Sequence, residues 1–378
     1  MLRTRLFGLS LSSLVVASFV AGCAEDPPPA PVPPPPPPAI EAPPPPPLYV
    51  PPPPEPTAEE KKKAKEAKEL SEDRAKWEAE SKTELARWTP EMHKAATALA
   101  DKTFWSGKAA IEAALKGTYR TPADVARDKY RHPVATLDFF GFKPTMTVID
   151  IGPGEGYYTE LLAPVLAKKG HYIATQGGDP NGPAEKRSTF YAQEYKGFLD
   201  KAPELYGKVE TVIVDGKAPS LGKDGSVDMV LAMRELHGME NNGTMDKWVA
   251  EVFRALKPGG VFGVEEHRAP ADADPVASAK KGYLPEKWVI DQVEAAGFKL
   301  AGKSEINANP KDTKDYSEGV WALPPSFKNG EKDHDKYAAI GESDRMTLKF
   351  VKPGAKPAAA APKAAGAAPK PGPKPAAK

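Results

Sequence analysis

Between Val134 and Val351 the apolar residues follow two rhythms in turn, short unbroken runs and longer stretches spaced three and four apart. The runs Val148 to Ile151, Tyr172 to Thr175, Val209 to Val214, Val227 to Met233, Val261 to Glu265 and Phe298 to Ala301 predict buried strands, and Arg345 to Val351 alternates as a seventh. Tyr157 to Lys168, Ser188 to Leu199, Met245 to Leu256 and Pro285 to Ala296 carry helical spacing. Strands separated by helices do not pair as tight hairpins. The order predicts an α/β domain with a mostly parallel seven-stranded sheet and helices on both faces.

Ahead of the sheet the pattern is helical. Thr57 and Glu60 stand as a capping box that opens a helix running to Trp88. Its charges lie on all faces and only Leu70, Trp77 and Leu85 form a thin apolar line, which predicts a charged helical spacer over 57–89. Thr89-Pro90 and Thr121-Pro122 each restart a helix with a cap followed by proline, and Val134 to Phe140 forms one more. A helical N-terminal extension thus precedes the sheet, in a folded domain placed over 90–352.

Composition reduces the share of the chain that can pack. Of 378 residues 44 are proline, and mean hydropathy is -0.49. The linker 24–56 is dominated by proline runs that hold polyproline II geometry; about 28 such residues at roughly 3.1 Å each reach roughly 90 Å. The tail 353–378 is built from Pro, Ala, Gly and Lys after Val351 and cannot form a core, so disorder is expected there. A net charge of +1 gives no general field for nucleic acid, and no nucleic-acid partner is expected.

Residues 1–23 read as a processing segment: Arg3 and Arg5, an apolar stretch from Leu6 to Val20, then Val20-Ala21-Gly22-Cys23. This resembles a bacterial lipoprotein signal. The resemblance implies lipidation of Cys23 and a membrane-anchored protein of the cell envelope, and Ala24-Glu25 leans towards the outer membrane, facing the periplasm. Cys23 is the one cysteine, so neither an intramolecular disulfide nor a thiolate metal site can form.

The candidate chemistry gathers after the first strand. Asp150 is followed by Gly152, Gly154 and Gly156, a G-x-G-x-G turn that brings bare backbone N–H groups to a ligand and differs from the dinucleotide spacing G-x-G-x-x-G. Taken with Asp215 after the third strand, Asp228 at the start of the fourth and Leu256-Lys257-Pro258-Gly259-Gly260-Val261, it resembles the class I S-adenosylmethionine-dependent methyltransferases from about Arg127 to Phe350. Arg127 to Pro133, Arg234 to Met239 and Glu266 to Pro270 are similar to a group of predicted bacterial methyltransferases often found with export signals. The resemblance implies a Rossmann-like class I methyltransferase fold and S-adenosylmethionine as cofactor, and it names no acceptor. By position it implies Gly152, Gly154 and Gly156 at the methionine part, Asp150 near its ammonium and Asp215 by the adenine amino group. Gln176 stands where the family usually has a carboxylate for the ribose, with Asp179 as a substitute if Gly177-Gly178 bends the loop back.

Catalytic groups are expected on loops at the carboxyl ends of strands. The fourth strand delivers Arg234, Glu235 and His237, the fifth Glu265, Glu266, His267 and Arg268. Methyl transfer needs alignment and, for oxygen or nitrogen acceptors, removal of a proton. His237 and His267 are the candidate bases; a structural histidine and an internal ion-pair network are their plainer readings. His237, Glu266 and His267 are also metal-ligand types, but no spacing demands a metal and none is expected. Arg127, Arg131, Tyr157 and Arg234 are candidate substrate contacts, while Arg127 and Arg131 also fit a helix-surface pairing. The long connection Asn307 to Asp344 reads as a lid, or as a loop packed by Trp321 and Leu323. Two functions stay open: an envelope-anchored methyltransferase with an unknown small-molecule or envelope acceptor, and a methyltransferase-like binding module without catalysis.

Overall fold

The computed structural model describes residues 55–354, with 31 and 33–35 before them. Expectations for the signal segment, Cys23, most of the proline-rich stretch and the tail beyond Gly354 lie outside the described residues.

Helices α1 (Ala58–Arg87), α2 (Pro90–Ala100), α3 (Gly107–Leu115), α4 (Pro122–Arg131) and α5 (Pro133–Phe140) come first. Strand β1 (Thr147–Ile151), α6 (Tyr157–Leu166), β2 (His171–Gln176), α7 (Arg187–Asp200), α8 (Pro203–Tyr206), β3 (Glu210–Ile213) and β4 (Val227–Met233) follow. Then come α9 (Leu236–Asn241), α10 (Met245–Ala255), β5 (Leu256–His267), α11 (Pro275–Ala279), α12 (Glu286–Ala295), β6 (Lys299–Ser304), α13 (His334–Ile340) and β7 (Arg345–Val351).

The seven strands form one sheet in the order β3-β2-β1-β4-β5-β7-β6. The first five are parallel, and β7 runs antiparallel between β5 and β6. The expected mostly parallel α/β sheet is therefore present, with one reversed strand. That reversal matters for the site, because it brings the start of β7 to the edge where β1, β4 and β5 end: His267 pairs with Arg345.

Side chains alternate across the sheet into two cores. Val148, Met229, Leu231 and Met233 pack with the α3, α5 and α6 side, whereas Ile149, Ile151, Val230 and Ala232 pack with α10 and α12. Burying a large aliphatic side chain such as Leu231, fully enclosed here, contributes about 1.5–3 kcal/mol. Asp150 shares the face of Val148, which points its carboxyl at Tyr172 of the neighbouring strand.

Three expectations are corrected. Helix α1 opens with the Thr57–Glu60 capping box, but it is not a free-standing spacer. Its second half docks on α7: Asp73 pairs with Arg187 at 2.6 Å, Arg74 donates to Gln193 at 2.8 Å, and Trp77 meets Phe190 edge-on. Apart from the buried Leu70, its first half is solvated, held by i,i+4 pairs such as Lys63–Glu59. The fifth strand begins at Leu256 rather than Val261, because Leu256 pairs with Val227 and the Lys257–Gly260 stretch bulges before Val261 pairs with Met229. Helix α3 is also absent from the sequence reading; Ser106 caps it and Ala110, Ile111 and Ala114 are buried. No helix among the described residues is long and apolar enough to cross a membrane.

Candidate functional site

A cavity of about 310 Å³ opens at the carboxyl ends of β1, β4 and β5. Its floor is Asp150, Gly152 and Gly154; its walls are Arg131, Tyr157, Arg234 and His237. The connection between β6 and β7 roofs it with Trp321, Pro324 and Pro325. Both readings of that connection are realised at once: Trp321 faces the cavity with its ring edge-on to His237, while Leu323 is buried with Tyr316 and Tyr337 in a small core of its own.

The glycine turn divides its work. All three glycines have positive φ, which a side chain resists. At Gly156 a Cβ would sit 2.6 Å from the Phe198 ring, so this glycine serves helix packing and does not line the cavity. The N–H of Gly152 donates to Thr175 Oγ1 at 3.1 Å, and that of Gly156 to the Pro153 carbonyl at 3.1 Å. The expectation of three bare N–H groups thus reduces to Gly154, where a Cβ would meet nothing within 4 Å.

Asp150 is 1% exposed and accepts from Tyr172 Oη at 2.6 Å. Burial pushes its carboxyl up to about 7, against the opposing pull of the Tyr172 hydrogen bond, Arg131 and Arg234. Burial and the nearby Glu266 likewise raise Glu235, whose carboxyl lies where a Gly152 side chain would be.

His237 follows β4 and turns its Nδ1 to Glu266 Oε1 at 3.0 Å. Glu266 also accepts from the N–H groups of Leu236 (2.7 Å), His237 (3.2 Å) and His267 (2.8 Å). Four donors use the acceptor capacity of one carboxylate. Glu266 therefore fixes the imidazole with Nδ1 as donor and leaves Nε2 with the lone pair. His267 is a different kind of group. Its Nδ1 meets Ser343 Oγ at 2.5 Å, and burial, His237 and three arginines hold it well below the ordinary histidine range. It stays neutral and anchors the roof connection; of the two candidate bases, the geometry favours His237. Ligand-type atoms of His237, Glu266 and His267 lie within 4.8 Å of one another, but Glu266 is already committed to its four donors.

Arginines dominate one wall. Arg127 and Arg131, one turn apart on α4, both face the cavity, so the helix-surface reading is set aside. Arg127 Nε donates to Glu342 at 2.7 Å, and Arg345 bridges Glu342 (2.5 Å) and Glu265 (2.8 Å). Burial raises the Glu342 carboxyl, but Arg345, Arg131, Arg127 and Arg234 outweigh it and hold the group well below the ordinary range. Tyr157 gives its hydroxyl to Asp128 at 2.8 Å and its ring face to the Arg131 guanidinium, 4.2 Å away.

Gln176 and Asp215 do not line this cavity. They lie along the same sheet edge, at the end of β2 and just past β3. The Asp215 carboxylate is exposed and accepts from the Lys217 N–H at 2.9 Å, and Asp179 accepts from Asn181 at 2.8 Å. Gly177 and Gly216 beside them have open space where a Cβ would be. Glu342 and Arg345 carry no local sequence signal for a site; the reversed direction of β7 brings them here.

No protein-family model and no curated protein matches the chain. Solved structures do. An S-adenosylmethionine-dependent methyltransferase from Aquifex aeolicus aligns at 19% identity and TM-score 0.41, over 61% of this chain and 94% of its own. A Methanosarcina mazei methyltransferase of the same description aligns at 13% identity and TM-score 0.40, over 58% and 97%. The glycopeptide N-methyltransferase MtfA aligns at 15% and 0.38, over 62% and 100%. At this level the likenesses decide nothing, and fold and chemistry are read from the sheet and the cavity themselves.

Proposed function

We propose that the domain is an S-adenosylmethionine-dependent methyltransferase. The observation that carries this reading is one cavity in which an inward-facing carboxylate, an open glycine backbone and an oriented imidazole meet: Asp150, Gly154 and His237. These residues fit the cofactor. Asp150 would hold the ammonium, since a cation stabilises the charged form that burial disfavours. The Gly154 backbone would lie against the methionine chain, and the open strip from Gly177 to Gly216 would take the adenosine, with Gln176 and Asp215 beside it. Gln176 offers the ribose a neutral hydrogen bond, about half as strong as a charge-assisted one.

When bound, the cofactor would supply an electrophilic methyl group to an acceptor lone pair, with its sulfur keeping the electron pair of the carbon–sulfur bond. His237 Nε2 takes the proton that an oxygen or nitrogen acceptor must lose. Glu266 holds the ring in the receiving tautomer and stabilises the cation that forms. Trp321, Pro324 and Pro325 cover the site and limit the entry of water.

Asp150 gives the reading a pH signature. A cationic ligand needs the ionised carboxylate, so affinity for S-adenosylmethionine falls by up to about tenfold per pH unit as pH drops below about 7, and levels off just above it. Asp150→Asn binds weakly and removes the slope. Without ligand the sign reverses: the folded acid keeps its proton up to about 7 and the unfolded one releases it near 3.8, so the domain loses stability as pH rises across that window. Calorimetric titration and thermal melts from pH 5.5 to 8 check both. A flat binding profile sinks the role of Asp150, and no binding of S-adenosylmethionine or S-adenosylhomocysteine at millimolar ligand sinks the methyltransferase reading.

The second reading, a binding module without turnover, draws on Gln176 in place of a ribose acid; it predicts S-adenosylhomocysteine binding with no methyl transfer to any acceptor. We place the protein in the cell envelope through lipidated Cys23, on the strength of the Val20–Cys23 sequence. A labelled lipid precursor then marks the wild-type chain and not Cys23→Ser, and equal labelling of both rules the anchor out.

A further inference from the structure

Resting on the methyl-transfer reading, we propose that the acceptor is a carboxylate-bearing small molecule, gripped through its anionic group by Arg131 and Arg234 with its reacting O–H or N–H turned to His237. The carboxylate is the handle, and methylation takes place elsewhere on the molecule.

Three observations converge on an anion. Arg131 is 1% exposed, yet its Nε and Nη2 have no hydrogen-bond partner among the described residues. Its nearest carboxylate is Glu342, 3.7 Å from Nε, and that group is already engaged by Arg127 and Arg345. A buried guanidinium with unmade hydrogen bonds is costly, and an incoming carboxylate removes that cost. Arg234 is the second cation. It is held at φ 70°, in the left-handed region that non-glycine residues avoid, its backbone N–H tied to the Glu265 carbonyl at 2.6 Å. Its side chain lines the cavity and forms no salt bridge among the described residues. The third observation is the balance of charge. Arg127, Arg131, Arg234 and Arg345 all act on Glu342, and Arg345 also meets Glu265, while burial disfavours a further negative charge on Glu235.

The position favours the acceptor. Arg234 and His237 leave β4 three residues apart, and Arg131 reaches in from α4 under the roof. Tyr157 supports the Arg131 guanidinium from below, which leaves its edge for a planar, bidentate partner. A carboxylate there stands beside the His237 base. The cofactor's own methionine carboxylate has the same chemistry, and the experiment separates the two sources.

Malonate serves as the probe, with malonamide as its neutral counterpart, titrated calorimetrically into the full chain with and without saturating S-adenosylhomocysteine. The expected result is malonate binding in both conditions, none for malonamide, and affinity about tenfold to a hundredfold weaker in Arg131→Met and in Arg234→Gln. Arg234 is half-buried, so Arg234→Gln stays informative if Arg131→Met fails to fold, which a thermal melt reports. Malonate displaced by S-adenosylhomocysteine assigns the arginines to the cofactor carboxylate and overturns the proposal. Equal binding of malonate and malonamide overturns it as well. Malonate binding without any S-adenosylhomocysteine binding upholds the anion grip but overturns its assignment to a methyl acceptor, which is how failure of the underlying reading shows itself.

Discussion

His237→Ala lowers methyl transfer by about 10²–10⁴-fold and leaves S-adenosylhomocysteine affinity within about threefold of the wild type. The separation follows from position. The imidazole lines the acceptor side of the cavity and, among the described residues, makes its one side-chain hydrogen bond to Glu266, so its loss removes the proton acceptor and spares the Asp150–Gly154 floor. Glu266→Gln costs less in turnover than His237→Ala but more in stability. Its amide still accepts from Nδ1 but presents an NH₂ group to some of the three backbone N–H donors that the carboxylate now satisfies. Release of S-adenosylhomocysteine from labelled cofactor, assayed against a panel of hydroxy- and amino-carboxylates, measures the first effect. A His237→Ala variant with wild-type turnover would falsify the base assignment.

Glu342→Gln destabilises the domain by about 3–5 kcal/mol, the cost typical of removing one partner from a buried ion pair. The side chain is 3% exposed and meets Arg345 at 2.5 Å, Arg127 at 2.7 Å and Arg131 at 3.7 Å, so its loss leaves three crowded guanidiniums without their shared counter-charge. For a domain of this size that corresponds to a fall in Tm of roughly 5–9 °C. The sign with pH is fixed by the lowered carboxyl. Its contribution is complete above the ordinary value of 4.5 and shrinks as pH falls from there towards the much lower folded value, so the gap between wild type and variant narrows in acid by about 1.4 kcal/mol per pH unit. Thermal melts at pH 7 and pH 3.5 test both parts. A variant as stable as the wild type at pH 7 would show that Glu342 is not the keystone of the arginine wall.

The sheet was legible because period and punctuation agree along it. Val227–Met233 and Arg345–Val351 stand at their expected bounds, since apolar or alternating runs flanked by turns leave little choice of frame. The Lys257-Pro258-Gly259-Gly260 stretch looks like a helix stop followed by a loop. Yet the Gly259 N–H bonds to the Lys352 carbonyl and the Lys352 N–H to Gly260, a long-range pairing to β7 that pulls the loop into the strand. Helix α1 reads as solvated because its docking uses Asp73 and Arg74, which polarity counts as surface.

The site was half legible. Asp150, Gly154 and His237 stand at strand ends, where a ligand is expected in such a sheet, and all three reach one cavity. Arg345 and Glu342 gave no local signal. They matter because β7 is antiparallel, and strand direction at a sheet edge depends on pairing partners rather than on the run itself. The commitment of the Gly152 N–H to Thr175, and of the Gly156 position to Phe198, was equally hidden, since both partners are distant in sequence.

The most direct test of the central claim is a crystal structure of the full chain with S-adenosylhomocysteine. The account predicts the ammonium at Asp150, the amino-acid chain along Gly154 and the sulfur directed towards the pocket between His237 and Arg234. Density for the ligand at another face, or in this cavity with its sulfur turned away from His237, would contradict it.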